Sequence, residues 1–270
     1  MSAFTLPGLI PVQSIPEISE QQLRAFPAFQ TWFQTLQHSL SLQTHGTHAF
    51  HASPFKLRRI TIQSCDYFGG KRLGFVKLKA EVTNDKGDSL PGSVFLRGGS
   101  VSMLLVVRPD DVDGDNEEYV VLTIQPRIAA GSLGFVELPA GMLDDSGTFT
   151  GAAAKEIKEE TGLEIAETEL VDMTSLAIPA PSTEEELLQQ GIYPSPGACD
   201  EFIPWFLSRK RLARTEIKSM EGRLSGLREH GEKITLKMCR LDELWKLGAR
   251  DGKTLAAVAL YEGLKREEKI

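Results

Sequence analysis

Three glutamates lie close together in a segment whose residue pattern predicts a short helix: Glu156, Glu159 and Glu160. At 100° per residue, their side chains fall within an arc of about 100°. Like charges three or four positions apart destabilise an isolated helix by roughly 0.2–0.5 kcal/mol per pair, so a partner should offset this repulsion. Mg²⁺ is such a partner, because it binds through one or two carboxylates together with phosphate oxygens and water. The cluster indicates a metal site, with a solvated acidic helix face as the alternative.

The residues around this cluster carry helix signals at both ends. Thr150 is the expected N-cap, and Gly162 stands where a left-handed residue would end the helix. An adjacent arc is mostly apolar and can face a core; it contains Ala153, Ala154, Ile157 and Thr161. We therefore expect one side of the helix to be buried, with the glutamates presented beside it.

The stretch from Gly141 to Leu163 resembles the Nudix box, whose pattern is G-x5-E-x7-R-E-U-x-E-E-x-G-U with U a bulky apolar residue. Gly141 matches the first glycine, and the second half is matched in register by Glu156, Ile157, Glu159, Glu160, Gly162 and Leu163. Two positions depart from the pattern: Gly147 stands in place of the first glutamate, and Lys155 in place of the arginine. Lysine keeps the positive charge but lacks the planar donor fork, so we expect the departures to affect the rate more than the chemistry.

Segments on both sides of the box resemble those of ADP-ribose and ADP-sugar diphosphatases, the plant-type ADP-sugar enzymes most of all. These segments are 122–127, 137–141, 193–201 and 226–232, together with Pro179, and the resemblance covers most of residues 55–265. It implies Mg²⁺-dependent hydrolysis of the diphosphate bond of ADP-glucose or ADP-ribose, giving AMP and a sugar phosphate, with Mn²⁺ as an alternative cation. The choice between these two sugars is left open by the sequence.

The same resemblance implies the metal ligands. Glu156 and Glu160 are the first candidates, and Glu159 is the third carboxylate, which could bind a second metal or take part in catalysis. A main-chain carbonyl beside the box also coordinates metal in the family, and here it belongs to Ala140.

Substrate and proton-transfer roles are implied for five residues outside the helix. Arg127, Glu137 and Arg228 are expected to contact the substrate. The general base lies on a loop outside the box in ADP-ribose-type relatives, so Glu201 is the first choice and Glu232 the second. For Arg127, Glu201 and Glu232, an ordinary surface position is the alternative; for Glu137, the alternative is a role in supporting the loop.

Two other functions compete with this prediction. The first is a Nudix hydrolase of other nucleoside diphosphate derivatives, such as dinucleoside polyphosphates or NADH. The second is a catalytically weak ADP-ribose-binding regulatory module, which the substitutions at Gly147 and Lys155 motivate. Product analysis and ligand-induced stabilisation separate the three.

Composition narrows the class of protein. The 270 residues are 41% hydrophobic and 25% charged, as in ordinary globular proteins, and carry a net charge of −7. This charge argues against a general nucleic-acid or anionic-membrane binder. No apolar run approaches the roughly 20 residues that span a bilayer. The three widely spaced cysteines and the lack of a convincing signal or transit peptide predict a cytoplasmic location, with an organelle as the alternative.

The chain pattern predicts a mixed α/β protein with three parts. Residues 1–56 are expected to form an arm with a helical segment at 19–42 that breaks at Pro27. Residues 57–97 are expected to form an antiparallel sheet, which in the resembling enzymes is shared between two subunits and so implies a homodimer. Residues 98–270 are expected to form a Nudix α/β/α sandwich with a mixed sheet. Its loop 109–117 is predicted to be exposed, with a calcium site as a weak alternative.

Overall fold

The computed structural model describes residues 2–111, 117–143, 148–179, 182, 185–226 and 233–270. The chain divides into two compact units, one of residues 1–99, 180–189 and 195–202, and one of residues 100–179, 190–194 and 203–270. The first unit contains strands β1 (Ser2–Leu6), β2 (Ile10–Ser14), β3 (Lys56–Phe68), β4 (Arg72–Thr83), β5 (Ser89–Leu90) and β6 (Ser93–Leu96), and helices α1 (Glu20–Ala25) and α2 (Pro27–Leu42).

Two helices of the first unit confirm the predicted helical segment and its break. Ser19 caps α1, because its side chain accepts the N–H of Gln22 while the Gln22 side chain accepts the N–H of Ser19. Pro27 opens α2, where its missing N–H costs no helical hydrogen bond. Leu23 and Phe29 are buried in the core of this unit.

The sheet of the first unit runs in the order β1-β2-β3-β4-β5, with β6 also paired to β4. The antiparallel sheet predicted for residues 57–97 is confirmed, because β4 pairs antiparallel with β3, β5 and β6. β2, which precedes that range, pairs parallel with β3. Parallel neighbours need a long crossover, and α1 and α2 form it. The Pro-rich residues 1–16 are predicted from the sequence to be extended, and within them Ser2–Leu6 and Ile10–Ser14 form the antiparallel strands β1 and β2.

The second unit is a mixed sheet with helices against its faces. Its strands are β7 (Ser100–Pro109), β8 (Tyr119–Arg127), β9 (Ser132–Glu137), β10 (Ala140–Met142), β11 (Val171–Asp172), β12 (Trp205–Leu212), β13 (Leu224–Ser225) and β14 (Ile234–Arg240). Its helices are α3 (Phe149–Thr161), α4 (Met173–Ala177), α5 (Arg214–Met220), α6 (Leu244–Leu247) and α7 (Gly252–Arg266). The order is β11-β12-β7-β8-β14-β13, with β10 beside β7 and β9 beside β8.

Strand β7 shows why both faces of this sheet are covered. Met103 and Leu105 pack in a core that includes residues of α3 and α5, whereas Leu104 and Val106 pack in a second core that includes residues of α4 and α7. Successive side chains of a strand point to opposite faces, so a continuous apolar run fills both cores. β7 and β12 are parallel, whereas β7 and β8 are antiparallel. The predicted α/β/α sandwich with a mixed sheet is confirmed.

The sequence of residues 163–177 predicts a turn and a strand, but the structure limits the strand to Val171–Asp172, and α4 follows directly. Asp172 starts that helix because its side chain accepts the N–H of Ser175 at 2.9 Å. The predicted division at residues 57 and 98 stays a prediction, because compact packing alone does not show that a segment folds independently.

Two further findings concern the described ranges. No helix in them is both long enough and apolar enough to cross a membrane. Cys65, Cys199 and Cys239 are all free thiols.

Candidate functional site

Helix α3 is held at both ends by local capping. Thr148, not the predicted Thr150, is the N-cap, and its Oγ1 accepts the N–H of Gly151 at 3.0 Å. Thr150 already lies inside the helix, and its hydroxyl donates to Glu167. Gly162 ends the helix at φ +73°, which confirms the predicted left-handed C-cap.

Glu160 is the least solvated carboxylate of the acidic cluster. Its residue is only 5% exposed, and its Oε2 accepts the N–H of Ala140 at 3.2 Å. Burial, followed by the nearby carboxylates of Glu156 and Glu137, raises the pKa of Glu160 well above its ordinary value. A solvated acidic helix face therefore does not describe this glutamate. Glu156 and Glu159 are half-buried.

Gly141 gives the carboxylate of Glu156 its place. A Cβ at residue 141 would lie 1.8 Å from the carboxyl carbon of Glu156, far closer than two carbons can approach. The absence of a side chain thus lets α3 bring Glu156 directly against β10. The first glycine of the box and its glutamate, 15 positions apart in the printed sequence, are in contact in the fold.

Glu137, at the end of β9, is 1% exposed and carries a cation on each oxygen. Arg127 Nε donates to Oε1 at 2.6 Å, and Lys253 Nζ donates to Oε2 at 2.7 Å. Burial alone would lower the pKa of Lys253, but the carboxylates of Glu137 and Asp251 outweigh it and raise that pKa. The network keeps a buried carboxylate paired, as its position requires.

The oxygen donors fit a hard divalent cation. Glu156 and Glu160 are close enough to each other to disfavour a second negative charge, and a cation there would relieve that repulsion. In the part of the chain that the structure describes, no group of three or more His, Cys, Asp or Glu side chains is arranged to hold a metal ion by itself. An incomplete set is what Mg²⁺ uses in phosphate chemistry, because substrate oxygens and water complete its octahedron.

The second unit thus brings together most of the residues predicted for metal and substrate. Arg127, Glu137, Ala140, Glu156 and Glu160 are linked by contacts or by direct electrostatic interaction. Lys253, which completes the Glu137 network, was not predicted. The only signal in the sequence is its place beside Asp251, the N-cap of α7, and nothing local connects it to a glutamate 116 positions earlier.

Of the two candidate bases and the third predicted substrate residue, only Glu201 lies within the described residues. Glu201 belongs to the first unit, where its carboxylate lies 3.2 Å from Nη1 of Arg97. The neighbouring Asp200 accepts the N–H of Arg97 at 2.7 Å. Arg228 and Glu232 lie outside the described residues, as do Gly147 and most of the loop 109–117.

A family model and a sequence relative both indicate the same family. The sequence model of the protein family described as the NUDIX domain matches residues 101–258 of this chain. The chain is 37% identical to Nudix hydrolase 14, chloroplastic, of Arabidopsis thaliana over 241 residues, which cover 88% of this chain and 71% of that protein. A solved structure titled as that of an ADP compounds hydrolase matches 80% of this chain and 99% of its own, with 15% identity and a TM-score of 0.45.

Proposed function

Because the chain belongs to the Nudix hydrolase family, we propose that it hydrolyses the diphosphate bond of ADP-linked sugars, with ADP-glucose and ADP-ribose as substrates and AMP and a sugar phosphate as products. The observation that carries this proposal is the buried Glu160 beside Glu156, a pair of carboxylates that fits a cation. The ADP-sugar class is supported by the resemblance of segments 137–141 and 226–232 to those enzymes.

Members of this family generally use divalent cations, and Mg²⁺ is our proposal for this chain, with Mn²⁺ as the alternative. When bound, the cation would polarise a phosphoryl oxygen and lower the pKa of a bound water. Glu156 and Glu160 are the proposed ligands, Glu159 is the third carboxylate, and the carbonyl of Ala140 is the proposed main-chain donor. The N–H of Ala140 donates to Glu160, so this one residue would position a carboxylate ligand with its amide and supply a donor with its carbonyl.

Arg127 is the proposed contact for a phosphate oxygen or the terminal ribose. Its side chain is 41% exposed, and its Nε is fixed by Glu137. A guanidinium held at Nε still presents two terminal nitrogens in a planar fork, which matches phosphate oxygens or paired hydroxyls. Glu137 orients this fork. Arg228 stays a predicted substrate contact.

The proton acceptor for the attacking water is proposed to be Glu201, with Glu232 as the second choice and Glu159 as the third. A general base must come within hydrogen-bonding reach of the water in the substrate complex. Glu201 is anchored by its contact with Arg97, which would hold the carboxylate in one orientation. The base assignment rests on the family resemblance.

Assembly and location are also proposals. The family resemblance supports a homodimer, in which the N-terminal sheet would take part. The cytoplasmic location predicted from the sequence stays a prediction, and the relative named as chloroplastic makes an organelle the alternative to test.

The proposed function is tested with a substrate panel at one fixed Mg²⁺ concentration. ADP-glucose, ADP-ribose, NADH and a dinucleoside polyphosphate are each incubated with the parent protein, and products are separated by chromatography. We expect AMP and a sugar phosphate from the two ADP-sugars. Release mainly from NADH or the dinucleoside polyphosphate favours another Nudix substrate. Thermal stabilisation by ADP-ribose without any AMP release favours a binding module.

The metal assignment needs a matched pair of variants. Glu160→Gln removes the charge of the buried carboxylate, whereas Glu164→Gln removes one from an exposed glutamate that pairs with Lys158 just beyond the helix. We expect Glu160→Gln to lower turnover by about 100-fold or more and Glu164→Gln to leave it near the parent value. Turnover of Glu160→Gln close to that of the parent contradicts the assignment.

A further inference from the structure

Lys253 connects two buried carboxylates at the N-terminus of α7. Its Nζ donates to Oε2 of Glu137 at 2.7 Å and to Oδ1 of Asp251 at 3.0 Å. The side chains of Glu137 and Asp251 are 1% and 4% exposed, so neither carboxylate can exchange this partner for bulk water. The ammonium is therefore the link between the start of α7 and the end of β9.

Asp251 fixes the position from which Lys253 reaches. As the N-cap of α7, it accepts the backbone N–H of Lys253 at 3.1 Å and that of Thr254 at 3.2 Å. It also accepts the hydroxyl of the fully buried Thr254 at 2.9 Å. These bonds hold both oxygens of Asp251, so the lysine side chain starts from a rigid turn and is held again near its tip.

The other end of the chain of contacts is Arg127. Oε2 of Glu137 accepts from Lys253, and Oε1 accepts from Nε of Arg127. The lysine therefore helps to fix the carboxylate to which the arginine is bonded. Within the described residues, Nε is the nitrogen of Arg127 that makes a hydrogen bond, and the side chain remains 41% exposed. The direction of the terminal nitrogens of Arg127 is set by the bond from its Nε to Glu137, and this bond depends on the orientation of the Glu137 carboxylate.

We propose that Lys253 is a positioning residue of the site: it holds the Glu137 carboxylate so that Arg127 presents its guanidinium fork in one orientation. This inference rests on the proposed function, which makes Arg127 a substrate contact. Without Lys253, Oε2 of a buried carboxylate would lose its cation. Such a group turns toward its remaining partner or takes up a proton, and either change alters its bond to Arg127.

The first test is a cycle of substitutions read by steady-state kinetics. Lys253→Met removes the ammonium and keeps an apolar stem, and Lys265→Met is the control because it removes an exposed lysine from the last turn of the same helix. With ADP-ribose and ADP-glucose at saturating Mg²⁺, Lys253→Met is expected to raise KM about tenfold with a smaller change in kcat, and Lys265→Met to leave both unchanged.

The cycle is completed in an Arg127→Met background. There, Lys253→Met should raise KM less than twofold further, because its effect passes through Arg127. Independent, multiplying effects of the two substitutions overturn the proposal, as does a Lys253→Met protein with the KM of the parent. A purely structural role would lower the melting temperature of the variant without this dependence on Arg127.

A second variant and a second measurement guard against misfolding and against failure of the proposed function. Asp251→Asn keeps a good N-cap but weakens the anchor of Lys253, so KM should rise in the same direction. Independently of substrate, hydrogen exchange of the Arg127 Nε–H, assigned by its loss in Arg127→Lys, should be about tenfold faster in Lys253→Met and faster in Asp251→Asn. Unchanged exchange in both overturns the positioning role. Faster exchange in a protein that releases no AMP from either ADP-sugar overturns the proposed function and leaves the link from Lys253 to Arg127 standing.

Discussion

The carboxylate of Glu156 occupies the space that a side chain at Gly141 would fill, with the position of the missing Cβ 1.8 Å from the carboxyl carbon. The contact ties the acidic face of α3 to the short strand β10 and sets how far the helix can approach the sheet. It gives the glycine a physical reason that does not depend on turn geometry, since Gly141 has no positive φ.

Adding one methyl group at residue 141 should disable the site. In Gly141→Ala, the Cβ would collide with Glu156, so the carboxylate must leave its place or α3 must shift. We expect turnover of ADP-sugars to fall by about 100-fold, since misplacement of a catalytic group by 1 Å has that effect. Gly134→Ala in β9 is the control, because its Cβ would meet Ile124 at an ordinary 3.8 Å. Equal activity of the two variants would show that Glu156 is not needed where it lies.

The buried charge of Glu160 should make the metal-free protein less stable as pH rises. The pKa of Glu160 is raised above its ordinary value of 4.5, so the folded state favours the protonated form. Below the unfolded pKa, this group does not change the free energy of unfolding. As pH rises from the unfolded pKa to the folded pKa, the free energy of unfolding falls, by about 1.4 kcal/mol for each pH unit between the two pKa values. In EDTA, the melting temperature of Glu160→Gln should therefore rise relative to that of the parent as pH is raised from 4.5 to 7.5. A constant difference between the two proteins across this range contradicts the prediction.

Added Mg²⁺ should make the parent more stable than Glu160→Gln. A cation that binds only the folded state stabilises it by about 2.7 kcal/mol at 100 times its Kd, which corresponds to a rise in Tm of several degrees for a chain of this size. The parent and Glu164→Gln should show this rise in Mg²⁺ titrations at pH 7.5, whereas Glu156→Gln and Glu160→Gln should show little of it. The same rise in all four proteins would place the cation elsewhere.

The proton acceptor can be separated from the metal ligands by measuring two quantities on each variant. Glu201→Gln should lower kcat by about 10²–10⁴-fold and leave the Mg²⁺-induced rise in Tm intact, because a general base acts on water without holding the metal. Glu232→Gln is made in parallel. If only Glu232→Gln lowers kcat with Mg²⁺ binding retained, our order of the two bases is wrong.

Much of the fold was predictable because it depends on neighbours in the sequence. The break at Pro27, the cap at Gly162 and the two-sided burial of β7 follow from local hydrogen-bonding rules and from the period of side chains along a helix or strand. The N-cap of α3 was misplaced by two residues, at Thr150 instead of Thr148, because threonine is a good cap at either position and helix ends are the least certain part of a sequence-based assignment. The parallel pairing of β2 and β3 was missed because strand partners are chosen at long range.

The sequence by itself determined which residues could do chemistry: the spacing of Gly141, Glu156 and Glu160 identifies the family and its acidic helix. Only the tertiary structure decided their environment. It buried Glu160 among other carboxylates and brought Lys253 onto Glu137 across 116 positions. Helical spacing sets which side chains share a face, but burial, and with it pKa and the need for an ion partner, depends on what distant segments pack against that face.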